Sequence, residues 1–395
     1  MSASPARQVA HAVVMRVLAD GAYADRALHA EARGLEPRER ALAKRLAFGT
    51  VQRQGTLDWI CKGMVKGRLE PRVRAALHLG LEQLLFLDGI PDHAAIAESV
   101  ELAKPSAGHR VVNAVLRRVQ REGVELPPDD KPHGAAIRHA HPQWIVELWW
   151  EWLGRERTVA LLEADNRAAP TVLRVNTLAG DVDLSDIPGE RVGEAIIVDG
   201  AFDAFAHPGF AAGAFAAQSL AAQRVARFAD PQPGERVLDL CAAPGGKTTH
   251  LAALMGGKGE VVAVERHPGR AEALERTCER MHARNIRVVQ ADAGAFHDSA
   301  GFDRVLLDPP CSGLGTLRGH PDLRWRVKKE DLAPLAAEQD RLLKAARANL
   351  RPGGTLVYAV CTLNPGEERL QSDDFWRTLP SEDDTDGFYS SRDVG

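Results

Sequence analysis

Cys311, in Asp308-Pro309-Pro310-Cys311-Ser312-Gly313, and Cys361, in Val360-Cys361-Thr362-Leu363, each follow closely on a short apolar run. A thiolate is a strong nucleophile, and an acid beside it can protonate or hydrogen-bond the ring that it attacks. Such a pair suits methylation at carbon 5 of cytosine, a carbon too poor in electrons to react until a thiolate adds at carbon 6 and makes an enamine. That enamine can attack a sulfonium methyl, after which a base removes the proton from carbon 5 and the thiol leaves. Asp308 is suited to the pyrimidine edge, and a second cysteine can assist the release. A lone cysteine in a strand-end turn reads as a small buried hydrophobe, which is how we read Cys61, Cys241 and Cys278. The pairing of Cys311 with Cys361 reverses that reading.

A cofactor cradle lies upstream, where Cys241-Ala242-Ala243-Pro244-Gly245-Gly246-Lys247 leads from an apolar run into a helical Thr248-Thr249-His250-Leu251 stretch. Glycines allow the backbone to approach a ligand, and a helix N-terminus offers free N–H groups. A phosphate-binding loop is the rival reading, but its first glycine would have to stand where Cys241 does. Glu265 closes the next apolar run, 20 residues after Gly245, where an acceptor for a ribose diol is expected. Asp292 and Asp308 follow the next two runs, so carboxylates recur at successive strand ends. Each could bind the adenine amine or the substrate, or only cap a helix. Arg270, in a first helical turn, could face the cofactor or solvent.

The elements that position these residues are short β runs at Val237–Leu240, Val261–Val264, Arg287–Gln290, Arg304–Leu307 and Thr355–Val360, separated by helical stretches. That alternation predicts a mostly parallel, doubly wound sheet with its ligands at the carboxyl edge. From Ala6 to about Arg121 apolar residues recur at helical spacing, with breaks at Gly34, Glu36-Pro37 and Gly89-Ile90-Pro91. A small helical bundle is expected there. The Pro-rich and charged stretch 124–133 reads as a linker. Beyond it comes a helical Trp144–Trp152 stretch, whose Trp149, Trp150 and Trp152 read as core more readily than as base-stacking platforms, and a strand at 171–176. Three parts are expected: residues 1–125, 126–232 and 233–395.

The net charge of −4 hides an asymmetry: residues 1–123 hold 19 Lys and Arg against 13 Asp and Glu, a net of +6, which leaves −10 for the rest. The first part could meet phosphates, although on charge alone solvated helix surfaces are the simpler account. The longest apolar stretch is far short of the ~20 residues that span a bilayer. The first residues, Met1-Ser2-Ala3-Ser4-Pro5, lack the apolar core of a secretory signal, so a cytoplasmic protein is expected. Five cysteines without a C-x-x-C pair argue against a disulfide framework or a zinc site, and no metal is expected. No heptad pattern predicts an oligomer.

These motifs have a known counterpart. Asp239-Leu240-Cys241-Ala242-Ala243-Pro244-Gly245-Gly246-Lys247-Thr248, Leu307–Gly313 with His320-Pro321-Asp322 and Trp325 behind it, and Cys361-Thr362-Leu363-Asn364-Pro365 together resemble the RsmB (Sun/Fmu) family of ribosomal RNA cytosine-5 methyltransferases. Arg7-Gln8-Val9-Ala10 and Asn113-Ala114-Val115-Leu116-Arg117-Arg118 resemble the NusB-type RNA-binding bundle of that family, so the likeness spans nearly the whole chain. It implies a multidomain fold, an all-α NusB-like bundle followed by an α/β Rossmann-like class I methyltransferase domain. It implies S-adenosylmethionine as cofactor, held by residues 241–247, Glu265, Asp292 and Asp308. By the same resemblance Cys361 attacks carbon 6, Cys311 helps release the product, and the substrate is small-subunit ribosomal RNA.

The chain departs from the family in two places. Ser219 follows Gln218 where an acidic residue is usual, and only 32 residues follow Leu363, which is short for the last helix and terminal strand pair of such a sheet. Asp386-Gly387-Phe388-Tyr389 resembles the family's closing strand, which puts the missing length between Glu368 and Asp386, and an incomplete sheet edge is expected. Two other functions stay open: an RNA-binding protein that holds cofactor without turnover, and an amino-group methyltransferase, whose Asp-Pro-Pro motif would place an aromatic residue where Cys311 stands.

Overall fold

The computed structural model describes residues 3–104, 106–200 and 202–395, so Met1 and Ser2 of the segment read for a secretory signal lie outside the described residues. In chain order the first elements are α1 (Pro5–Asp20), α2 (Ala24–Glu31), α3 (Pro37–Gln52), α4 (Gln54–Met64), α5 (Pro71–Leu85), α6 (Asp92–Ala103), α7 (His109–Glu122), α8 (Pro132–Arg138) and α9 (Gln143–Asp165). Next come β1 (Thr171–Val175), β2 (Gly189–Val192), β3 (Ala195–Val198), α10 (Pro208–Ala211), β4 (Phe215–Ala217) and α11 (Leu220–Ala229). The remainder is β5 (Arg236–Asp239), α12 (Gly246–Leu254), β6 (Glu260–Glu265), α13 (Pro268–Arg280), β7 (Ile286–Gln290), β8 (Phe302–Leu307), α14 (Leu323–Arg326), α15 (Leu332–Ala348), β9 (Leu350–Val360), β10 (Phe375–Thr378), α16 (Pro380–Asp383) and β11 (Phe388–Val394). Two compact units result: Met1–Arg167 with Leu317–Val327, and Ala168–Thr316 with Lys328–Gly395.

The first unit is helical. Prolines open α1, α3, α5 and α8, where the missing N–H costs no hydrogen bond and the fixed φ suits the first turn. The expected breaks fall between helices: Gly34 and Gly89 adopt positive φ, and Pro37 starts α3. Val13, Val14, Leu46, Leu57, Leu77, Leu81 and Leu116 form a dry centre. On α7 the buried Val112, Val115, Leu116 and Val119 leave Arg110, Arg117, Arg118 and Arg121 on the exposed face. Residues 126–167 pack onto this bundle: the Thr56 hydroxyl donates to the Ile137 carbonyl at 2.5 Å and the Gln52 amide to that of Asp165 at 2.6 Å. Trp149 is fully buried, as the core reading expects.

The returning segment Leu317–Val327 is integral to this unit. Arg324 is fully buried and donates to the Ala140 carbonyl (3.1 Å), the Asn166 side chain (2.9 Å) and the Asp165 carbonyl (3.1 Å). Beside it, Trp325 Nε1 donates to the Val51 carbonyl at 2.9 Å and Arg326 lies over the Tyr23 ring.

In the second unit, β2-β3-β1-β4 form an antiparallel sheet around Leu173, Ile196 and Phe215. The larger sheet has the order β10-β11-β9-β8-β5-β6-β7, in which β11 alone runs against the rest. The central strands read as continuous apolar runs because helices cover both faces. The expectation of an incomplete edge fails, since β10 and β11 are both present and paired from Phe375↔Ser391 to Thr378↔Phe388. What is short is the connection from β9 to β10, where a 3-10 turn at Pro365–Glu367 stands in place of a long helix.

Removing the Arg324 guanidinium takes the donor from the Ala140 carbonyl and the Asn166 side-chain oxygen and leaves the Asp165 carbonyl to Gln52 alone. Arg324→Met should destabilise the first unit by about 2–4 kcal/mol. Urea unfolding followed by tryptophan fluorescence measures this, and an unchanged midpoint would contradict the assignment.

Candidate active site

Parallel pairing brings the carboxyl ends of β5, β6, β7, β8 and β9 to one edge of the sheet. Between β5 and α12 the chain turns sharply at Gly245, whose φ of +101° only glycine adopts easily. A Cβ there would meet Leu274 Cδ1 at 2.7 Å. The turn is held from below, because the Ala242 N–H donates to the Val264 carbonyl (3.0 Å) and the Gly245 N–H to that of Ala242 (2.8 Å). Residues 241–247 thus form a cradle opening onto the α12 N-terminus, with Cys241 half-buried and its thiol pushed up by burial.

Glu265 ends β6 and is 5% exposed. One of its oxygens accepts from the His267 N–H at 2.8 Å, and the other meets Arg270 at 3.3 Å. Arg270 also donates to the Ala243 carbonyl at 3.0 Å, so it joins the cradle to Glu265 rather than pointing away. Asp292, beyond β7, accepts from Arg341 (2.9 Å) and from the Gly294 N–H (2.7 Å), and these two bonds hold its carboxyl below the usual range.

Asp308 follows β8 and accepts from Lys247 Nζ at 2.6 Å. Burial pulls Lys247 down, but the charges of Asp308 and Cys361 outweigh it, so the ammonium titrates above its ordinary value. Three residues on, Cys311 Sγ lies 3.5 Å from Cys361 Sγ. The hydrogen bond with Cys361 and then burial push the Cys311 thiol well up, with Glu367 and Asp308 adding to the effect. Cys311 therefore keeps its proton at neutral pH. The geometry puts a thiol pair, a carboxyl and an ammonium together beside a glycine cradle, which can serve nucleophilic attack on a ring.

Three stretches match known families: residues 226–387 match the model described as 16S rRNA methyltransferase RsmB/F, residues 4–121 the NusB family, and residues 141–184 a ferredoxin-like domain of RsmF/B-like methyltransferases. The ribosomal RNA small subunit methyltransferase B of Vibrio cholerae is 33% identical over 420 residues, covering 97% of this chain and 96% of its own. A Synechocystis sp. protein named "Probable ribosomal RNA small subunit methyltransferase B" is 35% identical over 408 residues, covering 95% and 91%. The chain belongs to the RsmB family. Its fold is shared with the solved structure of PH0851, which has a TM-score of 0.81 and 24% identity and covers 99% of each chain. The NusB-like bundle and the Rossmann-like methyltransferase domain expected from the sequence are both present.

In this RsmB-family site three polar residues escaped the sequence reading as site members. Asp239 lies 1% exposed under the cradle, with one oxygen accepting from the Thr248 hydroxyl at 2.7 Å and the other without a partner. Gln218 is buried beside Gly246 with neither amide atom bonded. Glu367 is fully buried between the two cysteine segments. Ser219 accepts from the Ala222 N–H at the start of α11, the capping task that an aspartate would perform equally well.

Burial lifts Asp239 from 3.8 to about 6. Folding thus favours the protonated acid, and the stability it contributes below about pH 4 is lost as pH rises through its folded value. Relative to Asp239→Asn, the unsubstituted chain should lose roughly 2–3 kcal/mol between about pH 4 and pH 7. Denaturation curves taken across that window test this, and parallel curves for the two proteins would refute it.

Proposed function

We propose that the protein transfers a methyl group to carbon 5 of a cytosine in small-subunit (16S) ribosomal RNA through a covalent bond between Cys361 and carbon 6. The observation that carries this reading is the thiol pair, 3.5 Å apart, formed by Cys311 on the loop that Asp308 opens and Cys361 just past β9. Amine methylation would have no use for that pair. When bound, S-adenosylmethionine supplies an electrophilic methyl on a sulfonium.

The residues fit such a cofactor. The positive-φ cradle at Gly245 leaves room where a side chain would not, Glu265 offers a buried carboxylate for a ribose diol, and Asp239 and Gln218 hold unpaired polar atoms beneath the loop. We assign binding to residues Cys241–Lys247, Glu265, Asp292 and Asp308, with Arg270 holding Glu265 and the Ala243 carbonyl in place.

In the chemistry we infer, the Cys361 thiolate adds to carbon 6 and its electron pair moves through the ring, while Asp308 hydrogen-bonds the pyrimidine edge. That addition would make carbon 5 nucleophilic towards the methyl that the bound cofactor would supply. A base then removes the carbon 5 proton, the carbon 6–sulfur bond breaks, and the ring double bond returns. Cys311, which holds its proton, is suited to assist that release as a donor to the departing Cys361 sulfur.

We assign RNA binding to residues 1–125, whose net charge of +5 and exposed Arg110, Arg117, Arg118 and Arg121 suit a phosphate backbone, linkage to residues 126–232, and methyl transfer to residues 233–395. We place the protein in the cytoplasm with the RNA it would modify. Among the described residues no helix is long and apolar enough to cross a membrane.

The test supplies labelled S-adenosylmethionine and small-subunit RNA from cells lacking the enzyme, followed by nucleoside analysis. Label should enter 5-methylcytosine and fall to background in Cys361→Ala. Cys311→Ala should instead accumulate a denaturant-stable protein–RNA adduct. Label in a different nucleoside would sink the proposal, and cofactor binding without label would indicate a binding protein.

A further inference from the structure

The loops that carry the two cysteines share a third group. Glu367 is wholly inaccessible to solvent, and both of its carboxylate oxygens are used. Oε2 accepts from the Ser312 N–H at 2.9 Å and from Gln339 Nε2 at 2.9 Å. Oε1 accepts from the Ser312 hydroxyl at 2.5 Å and from Asn364 Nδ2 at 3.0 Å. The Thr362 hydroxyl lies within reach of both Ser312 Oγ (2.5 Å) and Glu367 Oε1 (3.3 Å). Gln339 ties the assembly to α15 and also donates to the Pro310 carbonyl at 3.0 Å. Behind it, the buried Tyr358 hydroxyl donates to the Glu367 carbonyl at 2.7 Å.

Two of these partners flank the thiols in sequence: Ser312 follows Cys311 and Thr362 follows Cys361. Every group facing the carboxylate is a donor, so an acceptor with no hydrogens is required, and an amide of the same size would turn an NH2 against other donors. A bare buried charge is costly, and a carboxylate is tolerated there only because its lone pairs are filled. We propose that Glu367 is a positioning residue whose carboxylate fastens the Cys311 loop to the Cys361 turn and so sets the separation of the two thiols. The catalytic consequence rests on the covalent cytosine mechanism proposed above, whereas the geometric one does not.

The experiment compares full-length Glu367→Gln, Glu367→Ala and Ser312→Ala with Glu368→Gln, whose carboxylate occupies the same turn but pairs with Arg377. The first readout is the rate of Cys311–Cys361 disulfide formation with diamide, which takes up the two electrons and two protons that the thiols lose, followed by peptide mass spectrometry. The second is methyl transfer, with cofactor Kd measured separately. Glu367→Gln and Glu367→Ala should slow the cross-link at least about tenfold and lower kcat about 100-fold, with cofactor Kd nearly unchanged. Ser312→Ala, which keeps its backbone bond to Glu367, should show a smaller effect of the same sign. Glu368→Gln should match the unsubstituted chain in both. Wild-type cross-linking in Glu367→Gln, or lost thermal stability alone, overturns the proposal. Slower cross-linking in a protein whose unsubstituted form makes no 5-methylcytosine leaves the clamp standing and rejects the assigned reaction.

Discussion

Everything chemical in this protein depends on the register between β8 and β9. Their pairing sets Leu307 opposite Tyr358, so Cys311, four residues past the first, and Cys361, three past the second, leave the sheet side by side. A slip of one residue would displace one thiol by about 3.3 Å and turn its neighbours to the opposite face. Such a slip is prevented by burial, since Leu306, Leu307, Val357 and Tyr358 are at most 1% exposed and pack on both sides. The thiol separation thus inherits its definition from apolar packing well away from the sulfur atoms.

The same edge collects acids that could not coexist without distinct partners. Asp239 is buried with one bonded oxygen and leans towards its neutral form, Glu265 takes a backbone N–H and Arg270, and Asp308 is matched by Lys247. Glu367 needs no cation, because backbone, hydroxyl and amide donors fill its lone pairs. Lys247 is the ammonium placed among these carboxyls and near Cys361, and their combined charge keeps it protonated despite its burial.

The parallel sheet was legible because strands buried on both faces must be continuously apolar, and Val261–Val264 or Thr355–Val360 can hardly be read otherwise. Strand ends then located Cys241, Glu265, Asp308, Cys311 and Cys361 without any tertiary information. The small antiparallel sheet was legible only at β1, since β2 is exposed along its length and β4 has three residues, leaving no alternation to detect. The return of Leu317–Val327 into the helical unit was hidden because Arg324 and Trp325 look like surface and motif residues until the Ala140, Asp165 and Val51 carbonyls are found around them. The shortened C-terminal stretch revealed its closing strand at Asp386–Tyr389, whose Phe388 and Tyr389 open β11, and misled only about the completeness of the edge. Its length was counted against a helix, but pairing β11 to β9 needs only an extended chain that reaches.

Glu367 shows why a site can be complete in the sequence and still unreadable there. A glutamate six residues beyond a cysteine carries no periodic signal, and its neighbour Glu368 takes the ordinary role of pairing with an arginine, Arg377. Which of the two acids turns inward is decided by Ser312, Gln339 and Asn364, which lie on three separate segments and converge only after the sheet forms. Cys311 is flanked by the carboxylates of Glu367 and Asp308, and Cys361 acts electrostatically on Lys247. In the mechanism we propose, one sulfur must carry charge and the other a proton. The fold favours the proton on Cys311, through its bond with Cys361, its burial and the nearby charges of Glu367 and Asp308.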